Sequence, residues 1–159
     1  MKLISYPNVL LDTKCESVTE FNEELGKTLD EMKNIMLQHN GIGLSANQVG
    51  ITKSMFVMQN NKKEIFEIIN PKILEVAGLI DMSEGCLSAK DIFLNIIRPE
   101  SVMFQYQDRN GEIKKAMAEG IEARCIQHEI EHLNGIFYFS KVNRQARKIL
   151  KSKLKKNKV

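Results

Sequence analysis

Phe21, Leu25, Leu29, Met32 and Met36 recur at spacings of three and four. That period lines one face of a helix and predicts an amphipathic element over about residues 20–39. Thr19 or Asn22 can cap its start, and Asn40-Gly41 supplies a stop. The pattern then shortens to strand-like runs at Ser54–Met58, Glu64–Ile69 and Lys72–Val76, the last reached through Asn70-Pro71. Ser101–Tyr106 and Glu112–Met117 flank Asp108-Arg109-Asn110-Gly111, and Asn-Gly between two such runs signals a hairpin. Helical spacing returns over about Glu119–Asn134, stopping near Asn134-Gly135. It returns again from about Asn143 to Lys156, with Ala146, Ile149, Leu150 and Leu154 as the apolar positions. Helix, strands, helix, helix is an α+β order, not the alternation that builds a parallel sheet.

Composition bounds this picture. The 159 residues, 43% of them hydrophobic, suit one domain with a core of its own. Charge is unevenly spread. Nine of the 23 Lys and Arg fall in residues 141–159, where no acid occurs, so the other 14 face all 20 acids and the body is net −6. The basic residues are Lys141, Arg144, Arg147, Lys148, Lys151, Lys153, Lys155, Lys156 and Lys158. Such a run serves either as a solvated helix face or as a contact for an anionic partner. Cys15, Cys86 and Cys125 are an odd, sparse set, a poor disulfide framework that points to a reducing compartment. The N-terminus has no long apolar segment followed by a cleavage site, and no apolar run reaches the length of a membrane span. The expectation is a soluble cytoplasmic protein without a signal peptide, its catalytic domain in residues 1–142 and a basic C-terminal helix attached in 143–159.

The chemistry centres on His128-Glu129-Ile130-Glu131-His132, an HExxH motif on the second predicted helix. Residues four apart share a helix face, so both imidazoles can reach one metal ion and Glu129 can serve as general base. The bland alternative is a helix with two incidental histidines. Two of the chain's three histidines fall in this one motif, which favours metal binding. A catalytic site of this kind takes a third protein ligand. Downstream of His132 there is no His, Asp, Glu or Cys, so the third ligand comes from upstream. Cys125 and His132 are seven residues apart, about 10.5 Å along a helix axis, too far for a short side chain to share one ion comfortably. Cys125 reads better as a small buried residue. Cys86, in Glu84-Gly85-Cys86-Leu87-Ser88, is better placed, and a thiolate suits a borderline or soft divalent ion. Taken alone, Cys86 reads as a core cysteine. Gly41-Ile42-Gly43-Leu44-Ser45-Ala46-Asn47-Gln48 follows a helix rather than a strand, so it is not a dinucleotide loop. Its small residues let a substrate backbone pass closely, and Gln48 can donate to a developing oxyanion.

These three segments, in this order and at these intervals, resemble the signature boxes of peptide deformylases, which read roughly GxGLAAxQ, EGCLS and QHExDHLxG. Here they stand as Gly41–Gln48, Glu84–Ser88 and Gln127–Gly135. Tyr6-Pro7, the helix before the first box and the Asn-Gly hairpin before the third are also similar to the family, so the resemblance covers nearly the whole chain. It implies antiparallel strands packed around a central helix carrying HExxH, with an N-terminal amphipathic helix and a basic C-terminal one. It implies removal of the N-formyl group from the initiator methionine of new polypeptides, releasing formate. It implies Cys86, His128 and His132 as ligands of one divalent metal, Fe2+ in the cell and Zn2+ or Ni2+ as purified forms. Glu129 would be the catalytic acid/base, with Gln48 and the Leu87 N–H as oxyanion donors. Ile42, Gly43 and Leu44 would pair with the substrate backbone, and Ile121 and Cys125 would line the methionine pocket. The basic helix would contact the ribosome.

The chain departs from the family pattern at Ser45, for an alanine, and at Glu131, for the commoner aspartate. Ala89-Lys90 stand where x-Pro is frequent, and Phe93 where a basic residue is frequent, although Arg98-Pro99 matches. Lys90 and Phe93 therefore bear on peptide preference, not on the chemistry. Two other readings compete: an HExxH endopeptidase of the zincin type, and a non-catalytic deformylase-like protein that binds ribosomes. The first lacks a downstream ligand. The second is disfavoured by the presence of both Glu129 and Cys86.

Overall fold

In the computed structural model, which describes residues 1–156, the first helix, α1, spans Glu23–Gln38. Of the two candidate caps, Asn22 is the one used: its side-chain oxygen accepts from the Leu25 N–H at 3.0 Å. Leu25, Leu29, Met32, Ile35 and Met36 are buried, and Phe21, just outside the helix, packs against the same core. The helix stops where Asn40 takes a positive φ of 54° and the Gly41 N–H returns to the Met36 carbonyl at 2.9 Å.

Seven strands follow: β1 (Gly43–Ser45), β2 (Met55–Gln59), β3 (Ile65–Ala77), β4 (Ile80–Cys86), β5 (Ala89–Arg98), β6 (Ser101–Gln107) and β7 (Ile113–Glu119). Five of them form one antiparallel sheet in the order β1-β2-β3-β6-β7, and β4 and β5 pair separately as a hairpin. The antiparallel α+β architecture matches the expectation from sequence, and the β6–β7 hairpin turns at Asp108–Gly111 as anticipated.

Two features differ. The runs on either side of Asn70-Pro71 are one strand, β3, rather than two. Proline cannot donate to a ladder and is tolerated at a bulge. Here the register with β6 shifts between Ile69 and Lys72. The Asn70 side chain repairs the break, accepting from the Val18 N–H at 2.9 Å and donating to the Val18 carbonyl at 2.8 Å. The β4–β5 hairpin itself was not anticipated. The alternation at Ile80–Ser83 lasts only four residues, the register slips between Gly85 and Cys86, and Asp91 sits at a φ of 63°, so no sustained pattern marks the pair.

The second helix, α2, spans Gly120–Leu133 and is buried along most of its circumference. Ala123, Cys125, Ile126 and Leu133 pack with Phe56, Met58, Ile68, Val102 and Phe104 of the main sheet. The helix is therefore the central element, enclosed rather than laid on a surface. It ends at Asn134-Gly135, as the sequence predicts. Gly135 is required there: its φ is 71° and a Cβ would lie 2.7 Å from the Asp12 carbonyl oxygen.

The third helix, α3, spans Arg144–Lys156, with the Asn143 side chain accepting from the Ala146 N–H at 2.9 Å. Leu150 and Leu154 pack onto a group that includes Tyr6, Leu11, Phe137, Tyr138 and Phe139. Ile149, counted among the apolar positions, is instead 58% exposed. Residues 149 and 150 are about 100° apart on a helix, so only one can face this narrow contact. Lys158 of the basic run lies outside the described residues.

Candidate metal centre

Cys86 closes β4, and His128 and His132 lie one turn apart on α2. The Cys86 Sγ stands 3.2 Å from His132 Nε2, which stands 3.1 Å from His128 Nε2. One donor atom from each residue lies within 4.8 Å of the other two, and among the described residues no other His, Cys, Asp or Glu group converges in this way. Cys125 is not part of it: its Sγ faces the Ile42 carbonyl at 3.5 Å, and burial, with Glu129 nearby, holds its thiol well above the ordinary range.

Aromatic rings brace the two imidazoles. Tyr138 meets His128 edge-on at 5.6 Å between centroids, and Phe137 meets His132 in the same way at 5.6 Å. The Asn47 side-chain amide donates to the His132 carbonyl at 2.6 Å, tying the Gly41–Gln48 segment to α2. Burial and the neighbouring His128 hold His132 well below its usual pKa, so its ring is neutral.

Glu84, unassigned in the sequence reading, proves central. Its Oε1 lies 2.6 Å from His128 Nδ1, leaving Nε2 of that ring to face Cys86 and His132. Burial alone would raise the Glu84 pKa, but hydrogen bonds from Arg98 and His128 outweigh it and keep the carboxylate well below the usual range. Arg124 also donates to Glu84, at 2.8 Å. Acidic Glu84 two residues before Cys86 was the one available signal; nothing in the sequence marks Arg124.

Glu129 sits beside this group, 3% exposed, with its Oε2 making no hydrogen bond. Burial pushes its pKa up to about 7. Gly43 is the wall opposite, where a Cβ would lie 2.5 Å from Glu129 Oε1 and 2.6 Å from Cys125 Sγ. Gln48 is fixed by its own oxygen, which accepts from the Ser45 N–H at 3.0 Å and the Ser45 hydroxyl at 2.9 Å. That pins its amide nitrogen toward Ser88 Oγ at 3.0 Å and Cys86 Sγ at 3.4 Å. Leu87 forms the β4–β5 turn, its side chain lying over Gly41. Ile42 and Ile121 are both exposed, and Leu44 is fully buried.

Two imidazoles, a thiol and a buried carboxylate, brought together by an α+β fold with HExxH on its central helix, define a metallohydrolase. The model of the polypeptide deformylase family matches residues 1–148. The peptide deformylase of Wolinella succinogenes is 42% identical, the match covering 98% of this chain and 96% of that protein. That of Thermodesulfovibrio yellowstonii is 36% identical, covering 99% and 98%. Among solved structures, peptide deformylase from Ehrlichia chaffeensis in complex with actinonin superposes with a TM-score of 0.95 at 33% identity, covering 99% of this chain and 96% of that one. The enzyme from Legionella pneumophila gives 0.94 at 32%, covering 99% and 94%. This chain belongs to the peptide deformylase family, enzymes that depend on a metal and remove the N-formyl group from nascent peptides.

Proposed function

We propose that Cys86, His128 and His132 hold one divalent metal ion and that Glu129 moves the proton as the formyl amide of a formyl-methionyl peptide is hydrolysed. The observation that carries this is the convergence of the three donor atoms within 4.8 Å, beside a buried carboxylate with one oxygen unpaired. The donors suit the ion. Separations of 3.1 and 3.2 Å approach the roughly 3.4–3.6 Å edges of a tetrahedron with bonds of about 2.0–2.3 Å. Two nitrogens and a sulfur accept Fe2+, Zn2+ or Ni2+ alike. Fe2+ is our assignment for the cell, with Zn2+ or Ni2+ as forms met on purification. When bound, the ion supplies a Lewis acid that acidifies water and polarises the formyl oxygen.

The chain's own residues do the rest. Glu129, buried beside the three donors with one oxygen unpaired, takes the proton of the attacking water and delivers it to the departing amine nitrogen as the formyl C–N bond breaks. The pinned Gln48 amide and the Leu87 N–H donate to the oxyanion formed on the formyl carbon. Because the Gln48 oxygen is already engaged by Ser45, only its nitrogen is available to the reacting centre. Ile42, just before β1, and Gly43 and Leu44 on its free edge, which pairs with β2 on one side only, offer their backbone to an extended substrate. Ile121 and Cys125 on α2 line the methionine pocket. The test is formate release from formyl-Met-Ala-Ser, with elemental analysis of protein prepared without air. No formate, or no bound metal in active protein, would sink the assignment.

On the partner, we read residues 1–142 as the catalytic body and 143–159 as a docking helix for anionic ribosomal RNA. Arg144, Lys148, Lys151, Lys153, Lys155 and Lys156 are exposed, while Leu150 and Leu154 turn inward. A helix held to the core by two leucines and exposing cations around the rest of its surface supports that reading.

A further inference from the structure

Glu131 lies between the two histidines of the HExxH stretch and has no part in the chemistry above. It faces away from the metal donors, yet it is not an idle surface acid. Its Oε1 accepts from Arg98 Nη1 at 2.9 Å and its Oε2 from Arg98 Nη2 at 3.0 Å. Lys141, at the foot of α3, reaches the same carboxylate at 2.6 Å. Arg98 is buried, and its Nε and Nη2 donate to Glu84 at 2.7 and 2.6 Å. Glu84 in turn holds His128 Nδ1. An unbroken chain of ion pairs, closed by a hydrogen bond to the imidazole, therefore runs Lys141, Glu131, Arg98, Glu84, His128.

The charge balance shows what Glu131 contributes. Two buried guanidinium groups, Arg98 and Arg124, converge on the single carboxylate of Glu84. Glu131 supplies Arg98 with a second carboxylate partner, so that Glu84 is not left alone between two guanidinium groups. Without it, Arg98 would draw more strongly on the Glu84 oxygens, weakening their hold on the His128 ring. A net positive charge would also stand behind the site meant for a cation. His128 is the ligand most exposed to this effect, because His132 Nδ1 has no hydrogen-bond partner and is steadied by packing instead. A carboxylate behind a metal-binding imidazole fixes its tautomer and raises its basicity.

We propose that Glu131 is a positioning residue of the metal site: by neutralising and orienting Arg98 it keeps Glu84 on His128 Nδ1, and so strengthens the site's hold on a divalent cation. This rests on the reading of Cys86, His128 and His132 as the ligands. The test uses the full-length protein, stripped of metal and titrated with Co2+ and Zn2+ against a chelator of known affinity, with the cobalt absorption spectrum recorded. Glu131→Gln is expected to bind about tenfold more weakly, the lower end of the range for groups behind a ligand, and to shift the cobalt bands. Glu131→Asp, which keeps the charge, is expected to retain most of the affinity. Folded Glu131→Gln protein with wild-type affinity and spectrum would overturn the proposal, even if its melting temperature fell, because a merely structural role predicts that result. Should Glu131→Gln alone fail to fold, the double variant Glu131→Gln/Lys141→Met removes one charge of each sign and carries the same expected loss, and wild-type affinity there overturns the proposal equally. Wild-type protein that binds no cobalt through a thiolate would overturn the ligand assignment itself, and this inference with it.

Discussion

The backbone of Gly43 lies so close to the carboxyl group of Glu129 that a Cβ there would stand 2.5 Å from Oε1. The same atom would stand 2.6 Å from Cys125 Sγ, so a side chain at this position must displace one or both. Gly43→Ala is expected to push the Glu129 carboxyl out of line while leaving the metal ligands in place. A misplacement of about 1 Å can cost on the order of 10²-fold in rate. Formate release should fall on that scale with metal content unchanged, and a wild-type rate would show that the crevice is looser than its geometry indicates.

Glu129→Gln separates binding from proton transfer. Glu129 contributes no donor atom to the Cys86, His128, His132 group, so the variant should carry metal at wild-type stoichiometry. An amide cannot shuttle the proton, so activity should drop by about 10²–10⁴-fold, the usual worth of a general acid–base. Formate release near the wild-type rate would remove Glu129 from the mechanism.

A second cluster, outside the metal site, contributes to acid stability. Burial raises the Glu67 pKa, but hydrogen bonds from Arg109 and Lys33 more than offset it and leave the carboxyl below its usual value. A carboxylate depressed in the folded state stabilises fully above its unfolded pKa of about 4.3, and loses that contribution as pH falls through the folded value. Glu67→Gln should therefore be less stable than wild type at pH 7, with the gap closing below about pH 4. Urea midpoints at several pH values measure this; a gap that persists unchanged at pH 3 would contradict it.

Reversing charge on α3 tests ribosome docking without disturbing its packing. Lys148, Lys153 and Lys156 are exposed, whereas Leu150 and Leu154 make the contact with the core. The triple variant Lys148→Glu/Lys153→Glu/Lys156→Glu should lose co-sedimentation with ribosomes and keep wild-type turnover of a short formyl peptide. Binding of the unaltered protein should weaken steeply with salt, since phosphate contacts release counterions. Equal sedimentation of the two proteins would dismiss the docking helix.

What the sequence by itself determined were features set by neighbours along the chain. The α1 stripe, the stop at Asn134-Gly135 and the β6–β7 turn follow from local backbone geometry and turn chemistry. So does the shared face of His128 and His132, because residues four apart on a helix cannot do otherwise. Cys86 was different. Its spacing from the motif carries no distance: the residues alone made it the better-placed upstream cysteine, and the family resemblance implied it as a ligand. Its meeting with His132, 46 residues away, depends on how the β4–β5 hairpin docks against α2. Tertiary packing likewise decided that β3 runs through Pro71, where Asn70 bonds to distant Val18, and that Leu150 rather than Ile149 faces the core. The Glu84, Arg98, Arg124 and Glu131 network was decided there too. Buried charges need partners, and which partners they find is a property of three-dimensional proximity that no local pattern encodes.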